Sequence, residues 1–368
     1  MRNIGVTAIV LILTAAIAMP LFAGGQNEGS TQQQEGDDQV KIGLSFGSFA
    51  LERWPREQSI MTARANELGA QVISQVANND PRLQNDQIQN MVLQGVDVLI
   101  IVAEDAAAAA TAVNQAAEAG VEVISYDRLI PTPEISVYMS FDNVEVGRVQ
   151  AREVVERQST GKYVMLGGSP TDNNATLFRQ GQMEIVQPLV DEGDIEIVAD
   201  QFVPNWSPTE ATTIMENILT AQGNDIDAVV ASNDSTALGA LQAMSAQGLA
   251  GEVPISGQDA TLAGVRSIIQ GNLTMTVLKD YREMAPRAVE VAVQLAQGES
   301  PDFEERTLSS LTLDESMEGS VNVDFRPVTA VDQDNVYETV IQSCFQSWSD
   351  VYSGIVPEGE RPPQPECD

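Results

Sequence analysis

The stretch Val121–Arg128 reads Val-Glu-Val-Ile-Ser-Tyr-Asp-Arg. Its apolar run predicts a short buried strand that ends in an acid and a base side by side. Pro131 and Pro133 stop that strand close to Arg128. Unpaired charge is too costly to bury, so the Asp127-Arg128 pair does not belong to a core. In open α/β sheets, ligands bind just beyond the carboxyl ends of the strands. The pair therefore stands where a small polar molecule would be gripped, and the reading depends on counterparts at other strand ends.

On either side of this stretch the chain alternates between strand and helix patterns. Val40–Phe46, Ala70–Ala77, Val96–Ala103, Val121–Tyr126 and Ile135–Phe141 predict strands, with helices over Arg56–Leu68, Gln84–Gln94 and Ala106–Ala119. The rhythm then repeats. Tyr163–Leu166, Ile195–Phe202, Ala228–Ala231, Pro254–Ser256 and Thr274–Leu278 predict strands, and Asn174–Val190, Pro208–Ala221, Ser235–Gln247 and Leu262–Gln270 predict helices. Units of this length imply parallel strands with crossover helices, so the fold class is α/β with two parallel halves that switch near Asp142. Met284–Ala296 is one further helix, Pro301–Ser320 reads as irregular, and Val321–Val331 as a strand crossing between the halves.

Composition narrows the function. A chain of 368 residues is long enough for two domains with proper cores. With 53 acidic and 19 basic residues its formal charge is −34, which excludes a nucleic-acid surface built on clustered Lys and Arg. There is no His, so Ser-His-Asp and Cys-His chemistry and His-ligated metal sites are excluded; no metal or cofactor is expected. Residues 1–23, with Arg2 ahead of the uncharged run Ile4–Met19, predict a secretory signal cleaved near Ala23, an uncleaved anchor being the alternative. Residues 24–39 are polar and rich in Gly and Gln, and predict a disordered tether. The tail, residues 357–368, has no core pattern; a Cys344–Cys367 bridge is expected in an oxidising compartment, with two free thiols as the alternative.

The residues that follow the strands carry the functional signal. They are Arg53-Trp54, Asp127-Arg128, Asp172-Asn173-Asn174, Trp206, Asn233-Asp234, Gln258-Asp259 and Lys279. Two of the three Trp and one of only three Lys fall at strand mouths. A sugar hydroxyl donates one hydrogen bond and accepts two, which Asp, Asn and Arg match, and an indole covers the apolar face of a pyranose ring. Taken singly, each Asp or Asn after a strand is better explained as a turn former or helix N-cap, and Ser232–Ser235 can be the start of a helix; seven such ends in register are not explained by turns alone. Gly167-Gly168-Ser169-Pro170 lacks a following phosphate-loop signature and reads as a tight loop. Asp332–Asn335 hints at calcium but lacks the remaining ligands of a calcium loop, and Asp127 with Asp259 would suit a glycosidase pair.

At these positions the sequence resembles the bacterial periplasmic D-xylose-binding proteins, soluble receptors of ABC sugar importers. The matching stretches are LERW (Leu51–Trp54), YDR (Tyr126–Arg128), SFDN (Ser140–Asn143), GGSPTDNN (Gly167–Asn174) and LFRQG (Leu177–Gly181). They continue with ASND (Ala231–Asp234), SAQGL (Ser245–Leu249), SGQD (Ser256–Asp259) and MTVLK (Met275–Lys279), so the resemblance spans roughly Val40 to Ile341.

The resemblance implies a type I periplasmic binding fold: two discontinuous, doubly wound parallel-sheet lobes joined by three hinge crossings, with no covalent chemistry. The implied lobes are residues 40–141 with 280–325, and 142–279 with 326–356. The sugar contacts it implies are Arg53, Trp54, Asp127, Arg128, Asn174, Trp206, Asn233, Asp259 and Lys279, with Asn173 a weaker candidate. The first loop, Gly47-Ser48-Phe49, and the Cys-bearing tail depart from the family pattern. Expected partners are a monosaccharide, D-xylose favoured, and a membrane permease, with the protein monomeric and periplasmic. A secreted glycosidase and a sugar sensor or chemoreceptor ligand-binding protein are the rival readings.

Overall fold

The strands Val98–Val102 (VLIIV) and Val137–Phe141 (VYMSF) are buried at every position, as strands covered by helices on both faces are. The structure, a computed structural model, describes residues 39–367; the expected signal, residues 1–23, and all but the last residue of the expected tether lie outside the described residues. The N-terminal run is β1 (Lys41–Phe46), α1 (Arg53–Glu67), β2 (Gln71–Val76), α2 (Pro81–Leu93), β3 (Val98–Val102), α3 (Ala106–Glu118), β4 (Glu122–Tyr126) and β5 (Val137–Phe141). The second run is α4 (Asn143–Arg157), β6 (Gly161–Gly167), α5 (Asn173–Glu192), β7 (Ile195–Phe202), α6 (Pro208–Gln222), β8 (Ala228–Ala231), α7 (Asp234–Ser245), α8 (Leu262–Ile269) and β9 (Met275–Leu278). The chain then forms α9 (Tyr281–Ala296), β10 (Glu304–Thr307), α10 (Leu308–Thr312), β11 (Ser320–Arg326), β12 (Thr329–Asp332) and α11 (Trp348–Tyr352).

The strands make two sheets. One runs β10-β11-β5-β4-β3-β1-β2 and is parallel except for β10. The other runs β7-β6-β8, continues through single bridges at Ile255 and Ser256 to β9, and ends in antiparallel β12. Apolar side chains cover both faces of each sheet: α1 and α9 against one face of the first, α2 and α3 against the other. In the second, α4 and α5 oppose α6, α7 and α8. The chain passes between the sheets at Asp142, at Lys279-Asp280 and at Pro327-Val328, so the fold is two doubly wound α/β lobes on three crossings.

Four sequence expectations need correction. The helix α4 was not anticipated, although Asp142 caps it by accepting from Glu145 N at 3.0 Å and Val146, Gln150 and Val154 face inward. The first helix begins at Arg53 rather than Arg56, which places Arg53 and Trp54 on its first turn. Pro301–Ser320 holds β10 and α10, whose fully exposed edge strand offers no apolar pattern to read. The expected strand Val321–Val331 is two strands on different sheets, separated at Pro327, which cannot donate to a ladder.

The tail is tied down. Cys344 and Cys367 are joined, with Cα atoms 5.7 Å apart, and Trp348 and Tyr337 donate to the carbonyls of Pro362 and Pro363. Asp332 accepts from the backbone N–H groups of Asp334 and Asn335, so that segment is a turn folded on its own carboxylate.

Candidate functional site

The strand mouths of the two lobes face each other across a narrow pocket. It is lined by Leu51, Arg53, Trp54, Asp127 and Arg128 from the first lobe, and by Asp172, Asn174, Phe178, Trp206, Asn233, Gln258, Asp259 and Lys279 from the second. Leu51 apart, none of these residues is more than 7 % exposed, so the lobes are closed over the space.

On the first lobe, Arg53 is the hub. Its Nε meets Glu57 at 2.5 Å, and its Nη1 reaches Asp127 at 3.0 Å and, across the cleft, Asp259 at 3.5 Å. Its guanidinium lies 4.3 Å from the Trp54 ring centroid, stacking charge on the indole. Asp127 ends β4 at a φ of 60°, donating its N–H to Met139 O at 2.7 Å; its own carbonyl accepts from Ser140, Tyr138 and Asn174. Lys279 completes the charge around it, Nζ to Asp127 at 2.9 Å. Arg128 turns the other way, with Nε 2.9 Å from Asp172 and Nη1 on Ala103 O at 2.9 Å.

On the second lobe, Asn233 both caps α7, accepting from Thr236 N at 2.9 Å, and lines the cavity. Asn233 thus caps a helix and lines the pocket at once. Trp206 sits at φ 55° after Asn205 at φ 54°, an unusual backbone for a bulky side chain. Its Nε1 donates to Asp172 at 3.2 Å, and its ring fits only because residue 168 is Gly: a Cβ there would lie 1.9 Å from the indole. The tight loop expected at Gly167-Gly168 thus serves the indole. Asp259 and Ala260 carry φ of 95° and 45°, so the turn that presents Asp259 is strained as well.

Nine of the ten residues singled out in the sequence line this one space. Asn173 does not: its Nδ2 donates to Leu311 O at 2.7 Å, across the cleft but outside the cavity, because its position on the first turn of α5 faces α10. Asn174 lines the cavity, yet its amide is spent on Asp127, Asn143 and Tyr138. Sequence reasoning missed Leu51 and Phe178, and named Asp172 and Gln258 as strand-end residues without counting them among the expected sugar contacts. Asp172 has a second role, since it also caps α5 by accepting from Asn174 N at 3.0 Å. The same loop bridges the lobes further out, where Thr171 accepts from Ala106 N at 3.1 Å and donates to Glu104 O at 3.3 Å.

The lining holds three cations, Arg53, Arg128 and Lys279, and three carboxylates, Asp127, Asp172 and Asp259. Burial alone would raise the Asp127 carboxyl, but the charges of Arg53, Lys279 and Arg128 outweigh it and hold the group far below the usual carboxylate range. Burial raises Asp172 and Glu57 against the pull of Arg128 and Arg53 respectively. Besides Asp127 Oδ2, whose partners are its ion pairs with Arg53 and Lys279, two buried atoms of the lining, Arg53 Nη2 and Gln258 Oε1, have no hydrogen-bond partner among the described residues. Each such orphan costs roughly 1–3 kcal/mol, which a hydroxyl can relieve by accepting from one and donating to the other.

Comparison with known proteins places this architecture. Residues 42–300 match the periplasmic binding protein domain. The chain is 45 % identical to the D-xylose-binding periplasmic protein of Escherichia coli over 315 residues, covering 85 % of this chain and 93 % of that one. The D-xylose-binding periplasmic protein of Haemophilus influenzae is 43 % identical, with 85 % and 92 % covered. Among solved structures, an ABC transporter solute binding protein from Clostridium phytofermentans with bound β-D-glucose superposes with a TM-score of 0.77 at 29 % identity, covering 84 % of this chain and 99 % of that one. From matched sequence and shared two-lobed architecture, the chain belongs to the periplasmic binding protein family.

Proposed function

We propose that this protein captures D-xylose between its lobes and delivers it to the membrane permease of an ABC importer. The observation that carries the reading is the closed, charge-balanced space, with cations and carboxylates in equal number, two indoles and two orphaned polar atoms. Equal charges suit a neutral ligand rather than an acid or an amine, since an unmatched ionic group would be left buried. Trp54 and Trp206 supply apolar faces for a pyranose ring, and Arg53, Asp127, Arg128, Asn233, Asp259 and Lys279 supply the hydroxyl partners. The names of the Escherichia coli and Haemophilus influenzae relatives favour D-xylose within that class. Residues 40–141 with 280–325, and 142–279 with 326–356, are the bodies that close on it. The protein works as a monomer in the periplasm, with residues 1–23 as its export signal.

A glycosidase needs one carboxyl raised far enough to donate a proton. Asp127, ringed by Arg53, Lys279 and Arg128, is held in the opposite direction. Titration calorimetry against a panel of monosaccharides tests the proposal, with D-xylose expected to bind most tightly. Tighter binding of another sugar would overturn the assignment of ligand, and turnover of an aryl xyloside would overturn the binding-protein reading.

A further inference from the structure

Asp234 opens α7, directly after the cavity-lining Asn233, and is wholly buried without itself lining the cavity. Its Oδ2 accepts from Thr261 N at 2.8 Å and Thr261 Oγ1 at 2.9 Å, and its Oδ1 accepts from Thr276 Oγ1 at 2.8 Å. Thr276 Oγ1 in turn accepts from Ala260 N at 3.2 Å, and Asp234 N donates to Gln258 O at 2.9 Å. The carboxylate is sheathed in backbone: a Cβ at Gly257 or Gly264 would come within 2.2 Å of its oxygens. Every bond it makes therefore ends on, or one step from, the turn Gln258–Thr261.

That turn carries two cavity residues, Gln258 and Asp259, and its two left-handed non-glycine residues, Asp259 and Ala260, follow one another. Such backbone persists only where its surroundings over-determine it. Among the described residues no cation pairs with Asp234; burial, with Asp259 as the charged neighbour, pushes the carboxyl up to about 7 against the bonds from Thr276 and Thr261. A group kept in so unfavourable a place, and bonded only toward one strained turn, is retained for that turn.

We infer that Asp234 is a positioning residue for ligand capture, acting through Asp259 by holding the Gln258–Thr261 turn in the shape that presents Asp259 to the sugar. The inference rests on the sugar-binding reading above. Asp234→Asn keeps size and one acceptor but turns an N–H₂ toward the Thr261 donors.

The test is a double-mutant cycle by calorimetry with D-xylose, joined to hydrogen exchange on the sugar-free full chain. Asp234→Asn is expected to weaken binding about tenfold or more in the native background, and by less than about twofold beside Asp259→Ala. A residue that merely supports the fold would weaken both equally, and that result overturns the inference. Amide exchange over 258–264 is expected to speed up about tenfold or more, with α5 unchanged; unaltered exchange in that segment also overturns it. If the native chain binds no monosaccharide, the sugar reading falls, while the exchange arm still decides whether Asp234 holds the turn. If Asp234→Asn does not fold, Thr276→Val removes one donor and enters the same cycle.

Discussion

Asp127 follows β4 at φ 60° and donates its N–H to Met139 on the next strand; Asp259 follows the Ile255–Ser256 bridges at φ 95° and donates to Val277 on its next strand. The two carboxylates occupy equivalent stations in opposite lobes, and one guanidinium, that of Arg53, touches both. Their surroundings differ. Asp127 is clamped by Arg53 at 3.0 Å, Lys279 at 2.9 Å and Asn174 at 3.2 Å. Asp259 has the long Arg53 contact at 3.5 Å and Gln258 Nε2 at 3.2 Å, and stands in a turn whose Gln258 O and Thr261 N bond to Asp234. One acid is already committed to structure; the other has fewer partners within the chain.

The contrast can be broken most forcefully at its committed member. Asp127→Ala leaves Arg53 and Lys279 buried without their shared partner, and is expected to cost ~3–5 kcal/mol of folding stability, read by urea unfolding. Asp259→Ala is expected to leave unfolding nearly unchanged while costing at least ~2 kcal/mol of xylose binding, read by calorimetry. Equal losses of stability in both variants would erase the distinction. A finer cut falls outside the cavity: Asn173→Ala removes one interlobe bond of 2.7 Å, worth ~0.5–1.5 kcal/mol, and should speed sugar release in stopped flow.

A separate expected effect is with pH. Asp234, raised to about 7, binds its proton more tightly in the folded chain, so stability rises as pH falls from about 7 toward about 4. Asp127 is shifted the other way; its contribution is present above its unfolded value near ~4 and is lost below it. Calorimetric melting should therefore peak near pH 5, a few degrees above the value at about pH 8 on the order expected for a chain of this size.

The two aspartates also show what a sequence discloses. Each followed a buried run and so announced a strand mouth, and Lys279 stood out because Lys is scarce here. What could not be read was how each group divides its bonds. Asp172 and Asn173 are neighbours with matching polarity, yet the helix phase of α5 sends one to Arg128 and the other to Leu311. The helix α4 carries an Asp142-x-x-Glu145 start signature, on the same residues where the chain switches between halves. The edge strand β10 left no such trace, being exposed at every position.

Among the contacts that cross between the lobes, those of Thr171 with Glu104 and Ala106 and that of Asn173 with Leu311 touch no wall of the cavity. Their strength owes nothing to the cargo. An emptied container would therefore still hold these bonds at the brim, and the rate of unloading is expected to depend in part on how fast this seam parts, whichever sugar was inside.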